Sequence, residues 1–428
     1  MNFGKTGPRR TGPPRRVIQL ACFVGSVVLI WPVLPRVLVA AAPRFFQQLS
    51  PLVVLASSLA ARSIGVGAIL ALIVAIMSSF KKRWFCLYVC PTGFLLENTS
   101  RAGLRKTRWW SKCPPIGKYV AILTLVGAVA GYPVLLWMDP LCIFSSPFAL
   151  NRATNVMSVI LVSLGLGVLV AGTFVFGMLW CVRVCPLSGL QDMLFSMRKA
   201  LWTRLMAMLS PQKLNAAPFG AQGLRRRAFF AVAAGAAGAL LGPLARRVGA
   251  ARYRASDTLL RPPGAVPEDR FTGLCIRCNN CVHACPTKII HPDTGHEAGQ
   301  PAVAGLAGFA APIVRFDRDY KYCLETCNAC TQVCPTGALL PLDLEPKNKF
   351  IIGVALVDTN VCLTSLGKKE CDACELACPY DAVKITWDEA SYNANPVVND
   401  KCVGCGACEV VCPTSPVKAI RVWTQKRV

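Results

Sequence analysis

Four apolar runs, at about 17–35, 63–80, 119–138 and 156–180, interrupt an otherwise basic first half of the chain. A helix needs roughly 20 apolar residues to cross a bilayer. By that measure all four predict spans, the second being short, with Arg62 at its outer end. A fifth run, 228–245, is rich in Ala and Gly and predicts a weaker span. Between them, "MLFSMRKALWTRLMAMLS" (193–210) mixes basic and apolar positions, as a helix lying along the inner membrane surface does. Beyond residue 250 the long runs stop, and the chain predicts short strands and one-turn helices, with a Gly/Pro/Ala-rich loop or insertion at 286–312. The pattern is that of an α-helical membrane domain (four spans plus a fifth) followed by an α+β domain.

Charge sharpens this division. Only Glu97, Asp139 and Asp192 are acidic before residue 250, whereas 19 acids meet 19 Lys and Arg from there on, so the net +25 belongs to the apolar part. Basic residues flanking apolar runs point to lipid rather than nucleic acid. With the N-terminus in the cytoplasm, the inner segments carry 5, 9 and 8 Lys/Arg, against four outside: Arg36, Arg44, Arg62 and Arg152. That asymmetry orients the domain. The start, "MNFGKTGPRRTGPPRR", predicts a basic cytoplasmic tail and not a cleaved signal. The expected organisation is therefore a tail (1–16), a four-span domain (17–192), a basic amphipathic linker (193–223), an arginine-led segment and fifth span (224–249) and a cysteine-rich domain (250–428).

Sixteen cysteines of that last domain fall into four quartets: Cys275, Cys278, Cys281 and Cys285; Cys323, Cys327, Cys330 and Cys334; Cys362, Cys371, Cys374 and Cys378; Cys402, Cys405, Cys408 and Cys412. Each ends in C-x2-C-x3-C-P, the spacing in which three thiolates hold one [4Fe–4S] cluster and the cysteine before proline reaches its neighbour. The first gap is x2, x3, x8 and x2 in turn. Zinc ribbons use two C-x2-C pairs, and a disulfide framework has no need of one spacing repeated four times. The reading is a bacterial-ferredoxin-like poly-[4Fe–4S] domain of four clusters. His283, His291 and His296 are expected as polar surface residues or tuners of a nearby cluster.

Two more cysteine pairs follow the second and fourth spans, in "RWFCLYVCPTGFLLE" (83–97) and "LWCVRVCPLSGLQD" (179–192). In each, an aromatic residue precedes C-x3-C-P and an acid follows the second cysteine by seven positions. The membrane domain thus reads as a duplicated unit. Cys86, Cys90, Cys181 and Cys185 together supply the four thiolates of a fifth [4Fe–4S] cluster at the cytoplasmic face, with zinc, redox-active or structural thiols as alternatives. Cys22 and Cys113 lack partners at ligand spacing, as does Cys142, which is expected at the outer surface as a structural residue. Glu97, Asp139 and Asp192 are candidate proton acceptors, Asp139 outside and the others inside; the alternative is that each pairs with an arginine or caps a helix.

No histidine precedes residue 283 and no C-x-x-C-H occurs, which excludes bis-His haem in the membrane part and c-type haem. Flavin, nicotinamide and P-loop fingerprints are absent as well. A chain with clusters and no substrate-transforming cofactor moves single electrons, and the exchangeable partner for a membrane part of this kind is a quinone or quinol.

The first ~220 residues resemble the NapH/MauN family of membrane ferredoxin-type proteins. From about residue 224, the arginine-led "LRRRAFFAVAAGAAGALLG", the stretch "LLRPPGAVPEDRFTGLCIRCNNCVHACP" and the quartet series resemble the NapG/MauM family. The resemblance implies a fusion of two partners, with a twin-arginine segment exporting a folded cluster domain. It also implies that the first quartet pairs with the fourth and the second with the third. The chain departs from the pattern in lacking the ferredoxin motifs that end NapH-like proteins. The expected location is a bacterial cytoplasmic membrane with the cluster domain on the periplasmic side. The expected role is electron transfer between the quinone pool and an extracytoplasmic reductase or cytochrome. A maturation or reactivation factor for a partner metalloenzyme is the alternative, and a cytoplasmic-facing cluster domain is the alternative topology.

Overall fold

The structure is a computed structural model describing residues 13–30, 42–104, 113–148, 156–209, 221–255, 259–293, 310–316, 321–389 and 392–424. The chain forms two compact units. The first comprises 1–129, 134–144 and 164–239; the second comprises 130–133, 145–163 and 240–428.

In the first unit, helix α1 (Pro13–Ile30) is followed by α2 (Ala42–Gln48), α3 (Pro51–Ala61), α4 (Ala68–Phe80), α5 (Trp84–Tyr88), α6 (Pro91–Ala102) and α7 (Ile116–Val129). Then come α8 (Pro140–Ser145), α9 (Val156–Phe176, of which 164–176 belong to this unit), a π-helical turn (Trp180–Val184), α10 (Pro186–Leu209) and α11 (Ala221–Ala255, of which 221–239 belong to this unit). Five of these begin with proline: Pro13, Pro51, Pro91, Pro140 and Pro186. Proline suits the first helical position because its φ is preset and its missing N–H has no partner to lose. Two of the five, Pro91 and Pro186, close the C-x3-C-P copies.

Small residues set the packing. Gly117, Ala121, Thr124 and Ala128 make the buried face of α7, and α10 and α3 lie against that helix. At the crossing a Cβ on Gly189 would stand 2.3 Å from the Gly117 backbone, and one on Gly117 2.3 Å from the Cys185 carbonyl. Only glycine admits that approach. The amphipathic segment expected at 193–210 continues the helix that starts at Pro186 rather than beginning after residue 192.

Among the described residues one stretch, Ala228–Val248 within α11, is long and apolar enough to cross a membrane. Shorter apolar helices lie at Pro51–Ala61, Ala68–Phe80, Ile116–Val129 and Ser163–Phe176. Part of the first expected span, 31–35, lies outside the described residues.

The second unit has little regular structure. Its helices are short: α12 (Glu268–Leu274), α13 (Asn280–Ala284), α14 (Ala329–Gln332), α15 (Leu344–Asn348), α16 (Ala373–Leu376) and α17 (Ala407–Val411). Three two-stranded antiparallel sheets complete it: β1 (Ile290–Pro292) with β2 (Pro312–Val314), β3 (Val354–Val357) with β6 (Ile420–Trp423), and β4 (Val383–Asp388) with β5 (Asn393–Val398). Both ends of the expected 286–312 loop are thus paired strands, with Ile289, Ile290 and Ile313 buried. Pairing of β3 with β6 closes the last module, and Thr424 Oγ1 donates to the Leu259 carbonyl at 2.9 Å, tying its end to the start of the first.

Candidate metal centres

Cysteines occupy the interior that apolar side chains would otherwise fill. One buried core contains Cys285, Cys323 and Cys405 with Leu260, Val282, Ile289, Ile352 and Val422; a second contains Cys362, Cys374, Cys408 and Cys412 with Val383 and Ile420. Within each quartet a short helix begins after the second cysteine and carries the third.

The thiols gather into four cages, each built from two quartets. Cys275, Cys278 and Cys281 act electrostatically on one another and on Cys334. Cys323, Cys327 and Cys330 are completed by Cys285 and line one small pocket with it. Cys362, Cys371 and Cys374 are joined by Cys412 in a second. Cys402, Cys405 and Cys408 are joined by Cys378 in a third. The first quartet therefore exchanges its last cysteine with the second, and the third with the fourth. This corrects the expected first-with-fourth and second-with-third pairing. The reason is local: each cysteine before proline ends its one-turn helix facing the quartet adjacent in the chain.

Burial pushes Cys323 and Cys374 up to about 11 and Cys405 up to about 12, and it raises Cys275, Cys278, Cys281, Cys330 and Cys408 as well, with neighbouring thiolates adding to most. Burial acts on Cys412 in the same sense, but bonds from the Thr414 side chain and from the Thr414, Ile420 and Ala419 backbone outweigh it and lower that thiol. Four buried thiolates repel one another unless a cation replaces their protons. Iron supplies that charge, and the chemistry of the donor set fits it. Backbone N–H groups already aim at sulfur: Leu339 at Cys334 (3.3 Å), Ala382 at Cys378 (3.2 Å) and Ala355 at Cys402 (3.5 Å). Among the described residues no three His, Cys, Asp or Glu groups stand close enough to hold a single metal ion. Each cage is a wider ring, and in a cubane separate iron corners take separate thiolates.

The fifth cage lies in the first unit. Cys86 is within electrostatic reach of Cys90, Cys181 and Cys185, so the two C-x3-C-P copies come together. Gln191 Nε2 donates to Cys86 Sγ at 3.3 Å, and the Gly93 N–H to Cys90 Sγ at 3.4 Å.

The three acids separate. Glu97 pairs with Arg15 (3.0 Å) and Arg101 (2.7 Å). Asp192 takes a two-pronged contact from Arg83 at 2.9 and 2.5 Å, with Lys82 at 3.8 Å. Asp139 is fully buried and has no cationic partner among the described residues; it accepts from Ser50 Oγ (2.6 Å) and from the Leu141 N–H (3.0 Å). It also lies within electrostatic reach of Cys90 and Cys185. Asp139 and Cys142, expected at an outer surface, are buried in the first unit, because α8 folds inward and Thr92 Oγ1 holds the Pro140 carbonyl at 2.7 Å. His291 is likewise buried, at 3% exposure, since strand β1 carries it inside; His283 is half-buried and His296 lies outside the described residues.

Several site residues have no sequence signal. Arg261 and Glu268, 6% and 5% exposed, form a buried bidentate pair near Cys275. Lys347 is buried beside Cys323. Ser50, which donates to Asp139, has none either.

Comparison with known proteins agrees with this arrangement. A profile described as a 4Fe-4S dicluster domain matches residues 274–338 and 369–416, each match holding cysteines from both quartets that share cages. A profile described as a 4Fe-4S binding domain matches 64–109 and 159–204, one C-x3-C-P copy in each. The chain is 37% identical over 158 residues to the methylamine utilization ferredoxin-type protein MauM of Methylorubrum extorquens, covering 36% of this chain and 67% of that protein. It is 33% identical over 161 residues to the ferredoxin-type protein NapG of Escherichia coli (36% and 65%), and 34% identical over 148 residues to the ferredoxin-type protein NapF of Haemophilus influenzae (34% and 70%). The chain thus spans about two thirds of the length of these relatives. No solved structure matches.

Proposed function

We propose, from the premise that the chain belongs to the MauM/NapG family of ferredoxin-type iron–sulfur electron-transfer proteins, that it couples a membrane quinol to an extracytoplasmic reductase or cytochrome. The observation that carries the membrane half is where its apolar side chains point. Val17, Leu20, Val24 and Val28 are exposed along α1; Ile69, Leu72, Ile73 and Ile76 along α4; Ile160, Leu164 and Val168 along α9; Phe229, Val232, Leu240 and Leu244 along α11. These recur at helical spacing, and stripes of that extent need an apolar surround. Lipid is the surround that also accounts for the basic flanks.

In this reading residues 1–220 are the NapH/MauN-like partner fused ahead of the cluster domain. Five cages hold five [4Fe–4S] clusters: the sixteen quartet cysteines bind four, and Cys86, Cys90, Cys181 and Cys185 bind the fifth. Such clusters supply one-electron storage when bound. The chain's own contribution is to exclude water with packed apolar cores and to hold protons where quinol releases them. Asp139 is the best placed acceptor, because Glu97 and Asp192 are neutralised by arginines whereas Asp139 is held by a hydroxyl and by the backbone N–H groups of Leu141 and Cys142. The arginine-led segment before α11's apolar stretch carries the folded domain across the membrane.

The test is the anaerobically purified full chain in liposomes with a reduced quinol. Sustained flux to an added cytochrome or reductase supports the role, with about twenty irons per chain for five clusters. Reduction that stops after one turnover points instead to a maturation factor. About sixteen irons removes the membrane cluster. Asp139→Asn is expected to slow quinol-dependent reduction about tenfold or more while dithionite reduces the clusters fully. A reporter fused after Asp257 that is active only in the cytoplasm overturns the topology.

A further inference from the structure

Lys347 is a buried charge whose partners are neutral. It lies on the short helix α15, 3% exposed, and its Nζ donates to the Leu324 carbonyl and to Asn348 Oδ1. Among the described residues no carboxylate pairs with it. An ammonium taken out of water without a counter-charge is costly. The negative groups within its reach are thiolates of the second cage: it hydrogen-bonds Cys323 and acts electrostatically on Cys323 and Cys330.

This same cage touches the other module. The Cys323 N–H donates to the Cys405 carbonyl at 2.9 Å, and Cys405 is a ligand of the fourth cage. Cys285, Cys323 and Cys405 share one buried core, with Tyr380 packed on it. Tyr380 itself lies within electrostatic reach of both Cys323 and Cys405. No such backbone bond joins the second cage to the third among the described residues. The spatial order of cages is therefore first, second, fourth, third.

We propose that Lys347 sets the redox potential of the group held by Cys285, Cys323, Cys327 and Cys330, and that this group is the junction at which electrons pass between the two modules. A cage of four thiolates around a [4Fe–4S] core is anionic and gains one more negative charge on reduction, so a fixed cation favours the reduced form. The transfer balances without protons: one module is oxidised by one electron and the other is reduced by the same electron. The inference rests on the cluster reading above, and its test separates the two.

The full chain, purified anaerobically as wild type, Lys347→Met and Lys347→Arg, is assayed for iron and inorganic sulfide and titrated electrochemically with EPR detection. The Met variant is expected to retain its iron and to lower one midpoint out of those resolved. The shift corresponds to about a tenfold fall in the ratio of reduced to oxidised cluster at fixed potential, ~59 mV for one electron. Arg is expected to restore most of it. The affected signal should be broadened by two neighbouring spins, as a junction requires. Unmoved midpoints with full iron overturn the proposal. So does loss of about four irons from the Met variant without any shift in the remainder, which makes Lys347 a structural clasp. A shift at a cluster coupled to a single neighbour overturns the junction. Wild-type protein lacking sulfide defeats the cluster reading instead.

Discussion

The two units build thiolate cages by the same device at different scales. In the second unit, the cysteine before each proline crosses to a quartet adjacent in the chain, so two cages share one module, and a buried core joins the second cage to Cys405 of the fourth. In the first, Cys86 and Cys90 meet Cys181 and Cys185 across almost a hundred residues, and one cage is shared by two copies of a helical unit. The second unit stakes its folding on the group it holds, because cysteines replace apolar residues at its centre. The first has a helical framework of its own, with Leu52, Ala56 and Ala121 fully buried.

Iron content should divide the units most strongly. Cys281→Ser is expected to remove about eight irons, since the first and second cages are built from the same two quartets and Cys281 packs on the core that holds Cys285 and Cys323, whereas Cys181→Ser is expected to remove about four. Equal losses in iron and sulfide assays would erase the contrast. Next come the buried ion pairs. Arg261→Leu strands Glu268 at 5% exposure and should cost about 3–5 kcal/mol in denaturant unfolding. Arg83→Leu leaves Asp192 with Lys82 nearby and Arg83 itself is 21% exposed, so its cost should be smaller, about 1–2 kcal/mol. A larger cost at Arg83 would mean that the first unit depends more on buried charge than the second.

Backbone contacts give the finest comparison. Gly189→Ala drives a Cβ to 2.3 Å from the Gly117 backbone and should destabilise the first unit by about 2–3 kcal/mol in thermal melts in detergent. Gly337 in the second unit has positive φ (+73°) but open space around it, so Gly337→Ala carries only conformational strain, about 1 kcal/mol. The reverse ranking would show that close helix crossing is not what holds α7 to α10.

Much of the site could be read without coordinates. Cysteine spacing is a local property, and three thiolates within a few residues of one another can be assigned to one cluster from the chain alone. The fourth could not be so assigned, because which quartet Cys285 or Cys378 reaches depends on how the one-turn helices pack. The acids show the same limit: Glu97 and Asp192 read as alike, and each does pair with its own arginine, but nothing in "MDPLC" reveals that α8 folds inward and buries Asp139 against Ser50. Lys347 lies in the polar run "EPKNK" and is nonetheless buried.

By itself the sequence determined the donor atoms, their grouping, the twofold repetition of C-x3-C-P and the division into an apolar basic part and a cysteine-rich part. These follow from neighbours along the chain, where spacing alone limits what the backbone can do. Only the tertiary structure decided which quartets share cages, that Cys323 meets Cys405, and that Asp139 and Lys347 are enclosed. Those depend on contacts between residues far apart in sequence, whose free energy is set by packing and desolvation rather than by spacing.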